Sequence, residues 1–395
     1  MSFNDRIGEF ERYPLNEVLT QATPADVERV LAAPYVDREG FLTLLSPTAA
    51  DYLEPMARRA HALTVQHFGK VILLYTPLYL ANYCINFCLY CGFAAPNTIR
   101  RDRLTLDEVE EEARLISATG LRHILILTGE SRSKSSVAYL AECVAVLRRY
   151  FTSISIEVYP LETTEYAQLI EAGVDGLTLY QETYDREIYA AVHPRGPKRD
   201  YRFRLEAPER ACAAGIRAVN VGVLLGLADW RFDTFLTGLH ADFLQRCYPD
   251  VEVSISLPRI RAHAGVFHPE HEVSDREFVQ LLLATRLFLP QAGITISTRE
   301  RAEFRDHLIP LGVTKMSAGS HTEVGGRAHR EAETGQFEIS DRRDVPGVKE
   351  AIESRGYKAI FKDWHFLTEP EPSSHLGSRK YCWRTICRDV TPIRT

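Results

Sequence analysis

Val71-Ile-Leu-Leu-Tyr-Thr76 is an apolar, β-branched run, and a second such run, His123-Ile-Leu-Ile-Leu-Thr128, follows it after a helical segment. Between the two runs, Thr105-Leu-Asp-Glu108 has the spacing of a helix capping box, and Gly120 ends the helical pattern. This order of strand, helix and strand is typical of a βα unit in a parallel sheet.

The same alternation continues along the chain, with a new apolar run roughly every 20 to 40 residues. The eight candidate strands are 71–76, 123–128, 153–158, 175–180, 218–223, 251–256, 293–297 and 312–317. Helical patterns fill the gaps near 163–172, 205–214, 232–247, 275–289 and 300–310. Eight strands with helices between them predict an α/β fold, the (βα)8 TIM-type barrel.

An open doubly wound sheet is the alternative architecture, but no Gly-x-Gly-x-x-Gly sequence follows the first strand. Amphipathic helical patterns begin at Thr23-Pro-Ala-Asp26 and at Ser46-Pro-Thr48. A helix near 345–355 and a short strand, Lys358-Ala-Ile-Phe361, come after the last barrel strand. We expect an N-terminal helical extension over 1–70, a barrel over 71–322 and a C-terminal extension over 323–395.

Composition places the chain among ordinary globular proteins. It has 395 residues, 45% of them hydrophobic, and a net charge of −6 with no basic cluster that would bind a polyanion. The N-terminus lacks the apolar stretch of a signal peptide, and no segment has the 18 or so consecutive apolar residues of a membrane span. We therefore expect a cytoplasmic protein in which the eight cysteines are thiols or metal ligands.

The strongest chemical signal is Cys84-Ile-Asn-Phe-Cys88-Leu-Tyr-Cys91, a C-x3-C-x2-C run in the loop after the first strand. Three thiolates on one short loop suit a [4Fe–4S] cubane whose fourth iron stays open to another ligand. A structural zinc ion would need a fourth protein ligand, and none lies nearby at zinc-finger spacing. A zinc-binding structural protein is the non-enzymatic alternative.

Further polar groups lie where a barrel carries its active site, at the carboxyl ends of the strands. They are Thr128-Gly-Glu130, Tyr180-Gln-Glu182-Thr183, Pro258-Arg259-Ile-Arg261, Thr298-Arg299-Glu300 and Ser317-Ala-Gly-Ser320. A single carboxylate in such a place is usually a helix cap or an ion-pair partner. Five such groups on one rim favour a binding site, because carboxylates suit ammonium groups and hydroxyls whereas an Arg fork suits a carboxylate.

The cysteine spacing resembles the defining motif of the radical S-adenosylmethionine (SAM) superfamily. Other segments resemble that superfamily's aromatic amino-acid lyases, and most of all the tyrosine lyases of thiazole (thiamine) biosynthesis. These segments are Pro77-Leu-Tyr79, Cys91-Gly-Phe93, Leu127-Thr-Gly-Glu130, Tyr180-Gln-Glu-Thr-Tyr184, Arg204-Leu-Glu206, Val223-Leu-Leu-Gly226, Ser297-Thr-Arg-Glu300, Met316-Ser-Ala-Gly319 and Lys362-Asp-Trp364. The resemblance runs from about residue 40 to about residue 364.

The resemblance implies a [4Fe–4S] cluster on Cys84, Cys88 and Cys91, with SAM bound to the open iron. It implies cleavage of the Cα–Cβ bond of tyrosine to 2-iminoacetate and p-cresol, while SAM yields 5′-deoxyadenosine and methionine. Arg299 would hold the substrate carboxylate beside Ser317, and Tyr79 would line the pocket near the amine. The expected cofactor contacts are Tyr90, which also suits core packing, Glu130, Glu182 and, as weaker candidates, Arg204 and Arg259. The resemblance further suggests flavodoxin or ferredoxin as reductant and thiazole synthase as partner.

Two related enzymes stay open as alternatives: a tryptophan lyase that makes 3-methyl-2-indolic acid, and the hydrogenase maturase that converts the tyrosine fragment to CO and cyanide. The maturase carries a second cluster on a C-x2-C pair followed by a third cysteine. Cys382 and Cys387 form a C-x4-C pair with no cysteine after it, so we expect no second cluster. Cys143, Cys212 and Cys247 lie in helical patterns and are expected to be buried thiols.

Overall fold

The computed structural model describes residues 2–11, 15–328 and 335–361. The N-terminal part is helical in the described ranges: α1 (Phe3–Glu11), α2 (Leu15–Gln21), α3 (Pro24–Ala32), α4 (Arg38–Leu44) and α5 (Leu53–Phe68). Thr23 and Asp26 form the expected capping box of α3. The helix expected from Ser46-Pro-Thr48 begins as a 3₁₀ turn, Thr48–Tyr52, and becomes α-helical at Leu53.

Eight strands follow in the expected order. They are β1 (Val71–Ala81), β2 (His123–Thr128), β3 (Ser153–Glu157), β4 (Gly176–Glu182), β5 (Ala218–Val223), β6 (Glu252–Ser256), β7 (Gly293–Ile296) and β8 (Lys315–Ser317). The helices between them are α6 (Leu106–Ala118), α7 (Val137–Leu147), α8 (Thr163–Ala172), α9 (Arg186–Val192), α10 (Tyr201–Leu205), α11 (Ala207–Ala213), α12 (Trp230–Cys247), α13 (Asp275–Phe288) and α14 (Ala302–Leu308).

The strands form one parallel sheet that closes on itself. The order is β2-β3-β4-β5-β6-β7-β8-β1, and β1 also pairs with β2. Every residue of β2 except the last is buried, as in a strand covered on both faces. The expectation of a (βα)8 barrel is confirmed, and the open doubly wound alternative is wrong.

The first strand is longer than expected because different parts of it pair with different neighbouring strands. Its lower part pairs with β8 through Leu73 and Lys315, and its upper part pairs with β2 from Thr76 to Ala81. We expected the strand to end at Thr76, before Pro77. The strand passes through Pro77, since this residue loses one ladder donor while its neighbours keep their pairing with β2.

The described C-terminal part adds α15 (Val345–Ser354) and β9 (Lys358–Ile360), close to the expected helix and strand. β9 pairs in parallel with the start of β1, where Val71 lies opposite Lys358. None of the helices in the described ranges is long and apolar enough to span a membrane.

Candidate active site at the carboxyl end of the barrel

The cysteine loop leaves β1 and is fastened to its neighbours by backbone hydrogen bonds. Ile85 N–H donates to the carbonyl of Glu130 at 2.9 Å, and Phe87 N–H donates to the carbonyl of Arg195 at 3.0 Å. A Cβ on Gly129 would lie 2.4 Å from the carbonyl oxygen of Tyr83, so only glycine allows this approach. The loop is thereby fixed over the carboxyl ends of β1 and β2.

The three cysteines of this loop lie within electrostatic range of one another. Burial, together with the neighbouring Cys91 and Cys84 thiols, raises the pKa of the Cys88 thiol to about 12, although Lys198 opposes the shift. Among the described residues, no three His, Cys, Asp or Glu side chains converge on the position of a single metal ion. A [4Fe–4S] cluster does not require three side chains around a single metal position, because each thiolate binds a different iron.

The other described cysteines lie in helices outside this loop. Cys143 and Cys212 are buried in α7 and α11, as expected, whereas Cys247 at the end of α12 is only half-buried. Cys382, Cys387 and Lys362-Asp-Trp364 lie outside the described residues.

Glu130 follows β2 and contacts the cysteine loop. The amide nitrogen of Asn86 donates to the Glu130 carboxylate at 2.5 Å. The amide oxygen of Asn86 accepts from the backbone N–H of Lys198 at 2.9 Å. Asn86, between two of the cysteines, therefore joins Glu130 to the segment that carries Lys198.

Glu182 ends β4 in a strained conformation. Its φ is +75°, and the pairing register with β5 shifts between Tyr180 and Glu182. Its Oε1 accepts from Lys198 Nζ at 2.7 Å and from Arg204 Nη2 at 3.0 Å. Burial raises the pKa of this carboxyl, but the two cations outweigh burial and hold the pKa below its usual value. Glu182 is thus an ionised carboxylate deep in the protein.

Tyr90 makes a buried hydrogen-bonded chain with His193. His193 Nδ1 lies 2.8 Å from the carbonyl of Tyr189, which can only accept, so Nδ1 carries the proton. His193 Nε2 then accepts from the Tyr90 hydroxyl at 2.6 Å. Burial lowers the pKa of His193 to about 3, which keeps the ring neutral. The Tyr90 ring packs against Cys88 in a small apolar cluster.

Tyr79 points from β1 toward a residue that sequence reasoning did not single out. Its hydroxyl donates to Gln336 Oε1 at 2.7 Å, and Gln336 Nε2 lies 3.7 Å from Cys91 Sγ. Gly92 N–H also donates to the Gln336 carbonyl at 3.1 Å. The C-terminal segment thus links the barrel interior to the third cysteine.

Arg299 follows β7, and Ser317 is the last residue of the neighbouring strand β8. The Arg299 guanidinium carbon lies 3.4 Å from the centre of the Phe337 ring, its one side-chain partner among the described residues. Ser317 is buried, and its Oγ accepts from Thr298 N–H at 3.0 Å. The five donors of the Arg299 guanidinium thus remain available to a ligand.

Arg259 has a different environment. Its guanidinium donates to Glu300 at 3.1 Å and to the carbonyl of Val273 at 3.0 Å, and it pairs with Asp275 at 2.9 Å. Arg261 binds the same Glu300 carboxylate at 2.8 Å. These contacts bind the loops after β6 and β7 to each other.

Glu157, the last residue of β3, was not singled out from the sequence. Burial raises its pKa to about 7, while the nearby Arg299 opposes this effect. The residue lies deep enough for burial to shift its pKa, yet it keeps some accessible surface. A glutamate at the end of a strand gives no sequence signal by itself; only the closure of the barrel shows where it lies.

A cavity of about 570 Å³ opens beside Phe337. It is lined by the loops after β6 and β8 and by the C-terminal segment, including His263, His321 and Glu323. Neither the cysteines nor Glu130, Glu182 or Arg299 line it, so we regard it as a neighbour of the site and not as the site itself.

Comparison with known proteins agrees with this geometry. Residues 78–237 match the radical SAM superfamily, and residues 256–358 match the biotin and thiamin synthesis associated domain. The 2-iminoacetate synthases of Salmonella typhimurium and Escherichia coli are each 40% identical over 364 residues, 92% of this chain and 97% of each relative. The [FeFe]-hydrogenase maturase HydG of Carboxydothermus hydrogenoformans has a similar structure, with a TM-score of 0.82 at 30% identity over 88% of this chain and 82% of that chain.

The donor set fits the cofactors of that superfamily. Three thiols on one anchored loop offer sulfur to three irons, and no fourth protein thiol among the described residues belongs to the loop. The carboxylates of Glu130, on the loop after β2, and of Glu182, at the end of β4, lie near this loop, where they could meet an ammonium group and hydroxyls. The chain therefore belongs to the radical SAM superfamily, whose cofactors are a [4Fe–4S] cluster and SAM, and within it to the family of the 2-iminoacetate synthases.

Proposed function

We propose that this protein is a lyase that cleaves the Cα–Cβ bond of L-tyrosine to 2-iminoacetate and p-cresol, for the thiazole of thiamine. The observation that carries the proposal is the 40% identity to two 2-iminoacetate synthases over 97% of their length. The barrel interior supports it, because it combines aromatic side chains with an unpaired guanidinium.

When bound, the cluster and SAM supply a 5′-deoxyadenosyl radical that takes a hydrogen atom from the substrate amine. The protein has to hold the amino acid so that only this hydrogen meets the radical. Arg299 can bind the substrate carboxylate through two parallel hydrogen bonds, with Ser317 beside it. Tyr79, fixed by Gln336, lines the pocket near the amine.

On the cofactor side, Glu182 and Glu130 present carboxylates next to the cysteine loop. Glu182 is kept ionised by Arg204 and Lys198, which suits it to an ammonium group or to ribose hydroxyls. Arg204 thus acts through Glu182. Tyr90 supplies an apolar ring beside Cys88.

Arg259 has a structural role in this proposal. Its guanidinium is already satisfied by Glu300, Asp275 and a backbone carbonyl, so it holds the rim of the site together. We further propose that a flavodoxin or ferredoxin supplies the electrons. A thiazole synthase would accept the unstable imine.

Anaerobic turnover with SAM and dithionite tests the reaction. We expect p-cresol and 5′-deoxyadenosine from tyrosine, without CO or cyanide. An indole product from tryptophan and none from tyrosine would overturn the proposal in favour of the tryptophan lyase. CO or cyanide from tyrosine would favour a maturase, which the structural similarity to HydG makes the second candidate.

The metal content separates this enzyme from a zinc-binding structural protein. Anaerobic reconstitution should give a brown protein with iron and acid-labile sulfide in stoichiometric amounts. A colourless protein that contains zinc and no sulfide would contradict the enzymatic function.

A further inference from the structure

Two side chains of opposite charge at the carboxyl end of the barrel act on each other electrostatically without forming an ion pair. Glu157 lies at the end of β3, and Arg299 follows β7. Arg299 is the strongest of the charges that act on the Glu157 carboxylate, yet no nitrogen–oxygen pair between the two comes within 4.0 Å. The space between them is therefore bounded by a cation on one side and an anion on the other.

The pairing register shows that Glu157 points into the barrel. Glu157 lies opposite Leu127 of β2, and Leu127 lies opposite Tyr79 of β1. Residues directly opposite each other in neighbouring strands point to the same face, so Glu157 shares the inner face with Tyr79. Burial raises the pKa of the tyrosines at 75, 79 and 180, and the charge of Glu157 adds to this effect at each one.

Glu157 differs from the other carboxylates at this end of the barrel in its hydrogen bonds. Glu130 accepts from Asn86, Glu182 from Lys198 and Arg204, and Glu300 from two arginines. The carboxylate of Glu157 has no hydrogen-bond or ion-pair partner among the described residues. Burying an unpaired carboxylate is costly, so such a group persists where a ligand supplies the partner.

A free amino acid supplies that partner. Its carboxylate needs a cation and its ammonium needs an acceptor, and an ammonium left unpaired in a dry chamber would cost much of the binding energy. We propose that Glu157 binds the ammonium group of the amino-acid substrate, opposite the Arg299 that binds its carboxylate. The inference rests on the proposed function and adds a specificity-determining residue to it.

Binding to the reconstituted enzyme with SAM and without reductant tests this role apart from turnover. The probes are L-tyrosine and 3-(4-hydroxyphenyl)propionate, which is tyrosine without its amine. The wild-type protein should prefer tyrosine, and Glu157→Gln should weaken tyrosine binding about tenfold or more while it leaves the affinity for the propionate unchanged or higher. Glu171→Gln, on the exposed side of α8, is the matched control and should change neither affinity.

Phenylalanine provides the opposing test. If Glu157 contacts the phenol instead, Glu157→Gln will reduce the preference for tyrosine over phenylalanine and leave the preference for tyrosine over the propionate intact, which would overturn the inference.

Should Glu157→Gln fail to fold, Glu157→Asp keeps the charge on a shorter side chain and should weaken the binding of tyrosine but not that of the propionate. Wild-type protein that neither binds tyrosine nor forms p-cresol would refute the proposed function itself. Wild-type turnover with an unaltered amine preference in the variant would refute only the role of Glu157.

Discussion

At the scale of single residues, the contrast between two arginines is informative. Arg259 and Arg299 both follow strands at the same end of the barrel, but within the described part of the chain only Arg259 is paired with carboxylates. Arg299 lies on the face of Phe337, an interaction that orients the guanidinium and leaves its N–H groups free. A pre-oriented and unpaired guanidinium loses little when it binds an amino-acid carboxylate.

Arg299→Ala should therefore leave the iron and sulfide content unchanged and weaken tyrosine binding about tenfold to a hundredfold, since a charge-assisted pair is lost. The tyrosine affinity of Arg299→Lys should lie between those of the wild type and Arg299→Ala, because lysine keeps the positive charge but cannot make two parallel hydrogen bonds to a carboxylate. Arg301→Ala, an exposed arginine two residues away, is the control. Equal tyrosine affinity in Arg299→Ala and the wild type would remove Arg299 from the substrate site.

The residues that carry this site differ in how far the sequence reveals them. Cys84, Cys88 and Cys91 have a diagnostic spacing, and Glu130 follows an obvious strand, so both could be placed at the barrel's carboxyl end in advance. Glu157 could not, because an apolar-polar alternation does not say which face becomes the interior until the barrel closes. Gln336 could not either, since its contact with Tyr79 joins residues 257 positions apart.

At the scale of elements, β4 and α12 are joined by a buried acid. Asp233, on the first turns of α12, accepts from Thr183 Oγ1 at 3.0 Å and from Tyr184 N–H at 2.8 Å, just after Glu182. Burial raises the pKa of Asp233 to about 8. Local patterns predicted α12 well but gave no sign of this link. They also missed α9, a short helix within the loop after β4.

This raised pKa makes stability depend on pH in a defined direction. Asp233 holds a proton in the folded state up to pH of about 8 but releases it above about 4 when unfolded, so its stabilising contribution is complete below about pH 4 and is lost as the pH rises toward 8. Asp233→Asn keeps the accepting oxygen and does not titrate. As the pH rises from 6 to 8, the free energy of unfolding of Asp233→Asn should increase by about 2 kcal/mol relative to that of the wild type, as measured by urea unfolding. Asp250→Asn at an exposed position should show no such gain. If the difference in the free energy of unfolding between the wild type and Asp233→Asn does not change with pH, Asp233 is ionised in the folded protein.

At the scale of the whole molecule, the N-terminal helices are packed into the barrel's outer layer. The Phe41 ring of α4 stacks on Phe288 of α13, with centroids 4.5 Å apart and planes 5° apart. A Cβ on Gly238 of α12 would lie 2.4 Å from the same ring, so this glycine makes room for Phe41. The sequence predicted an N-terminal helical segment, but it could not show that a glycine nearly 200 residues away receives it.

Because Phe41 is fully buried between two barrel helices, Phe41→Ala should destabilise the protein by about 3–5 kcal/mol. Tyr35→Ala, at a highly exposed position of the same segment, should change stability by less than about 0.5 kcal/mol. Thermal unfolding followed by calorimetry distinguishes two possibilities. If the N-terminal helices and the barrel fold as one cooperative unit, Phe41→Ala lowers the temperature of a single transition that includes the barrel. If the helices are a separate unit, an early transition moves alone and the barrel's own transition stays in place, since α12 and α13 would then keep their stability without the Phe41 contact.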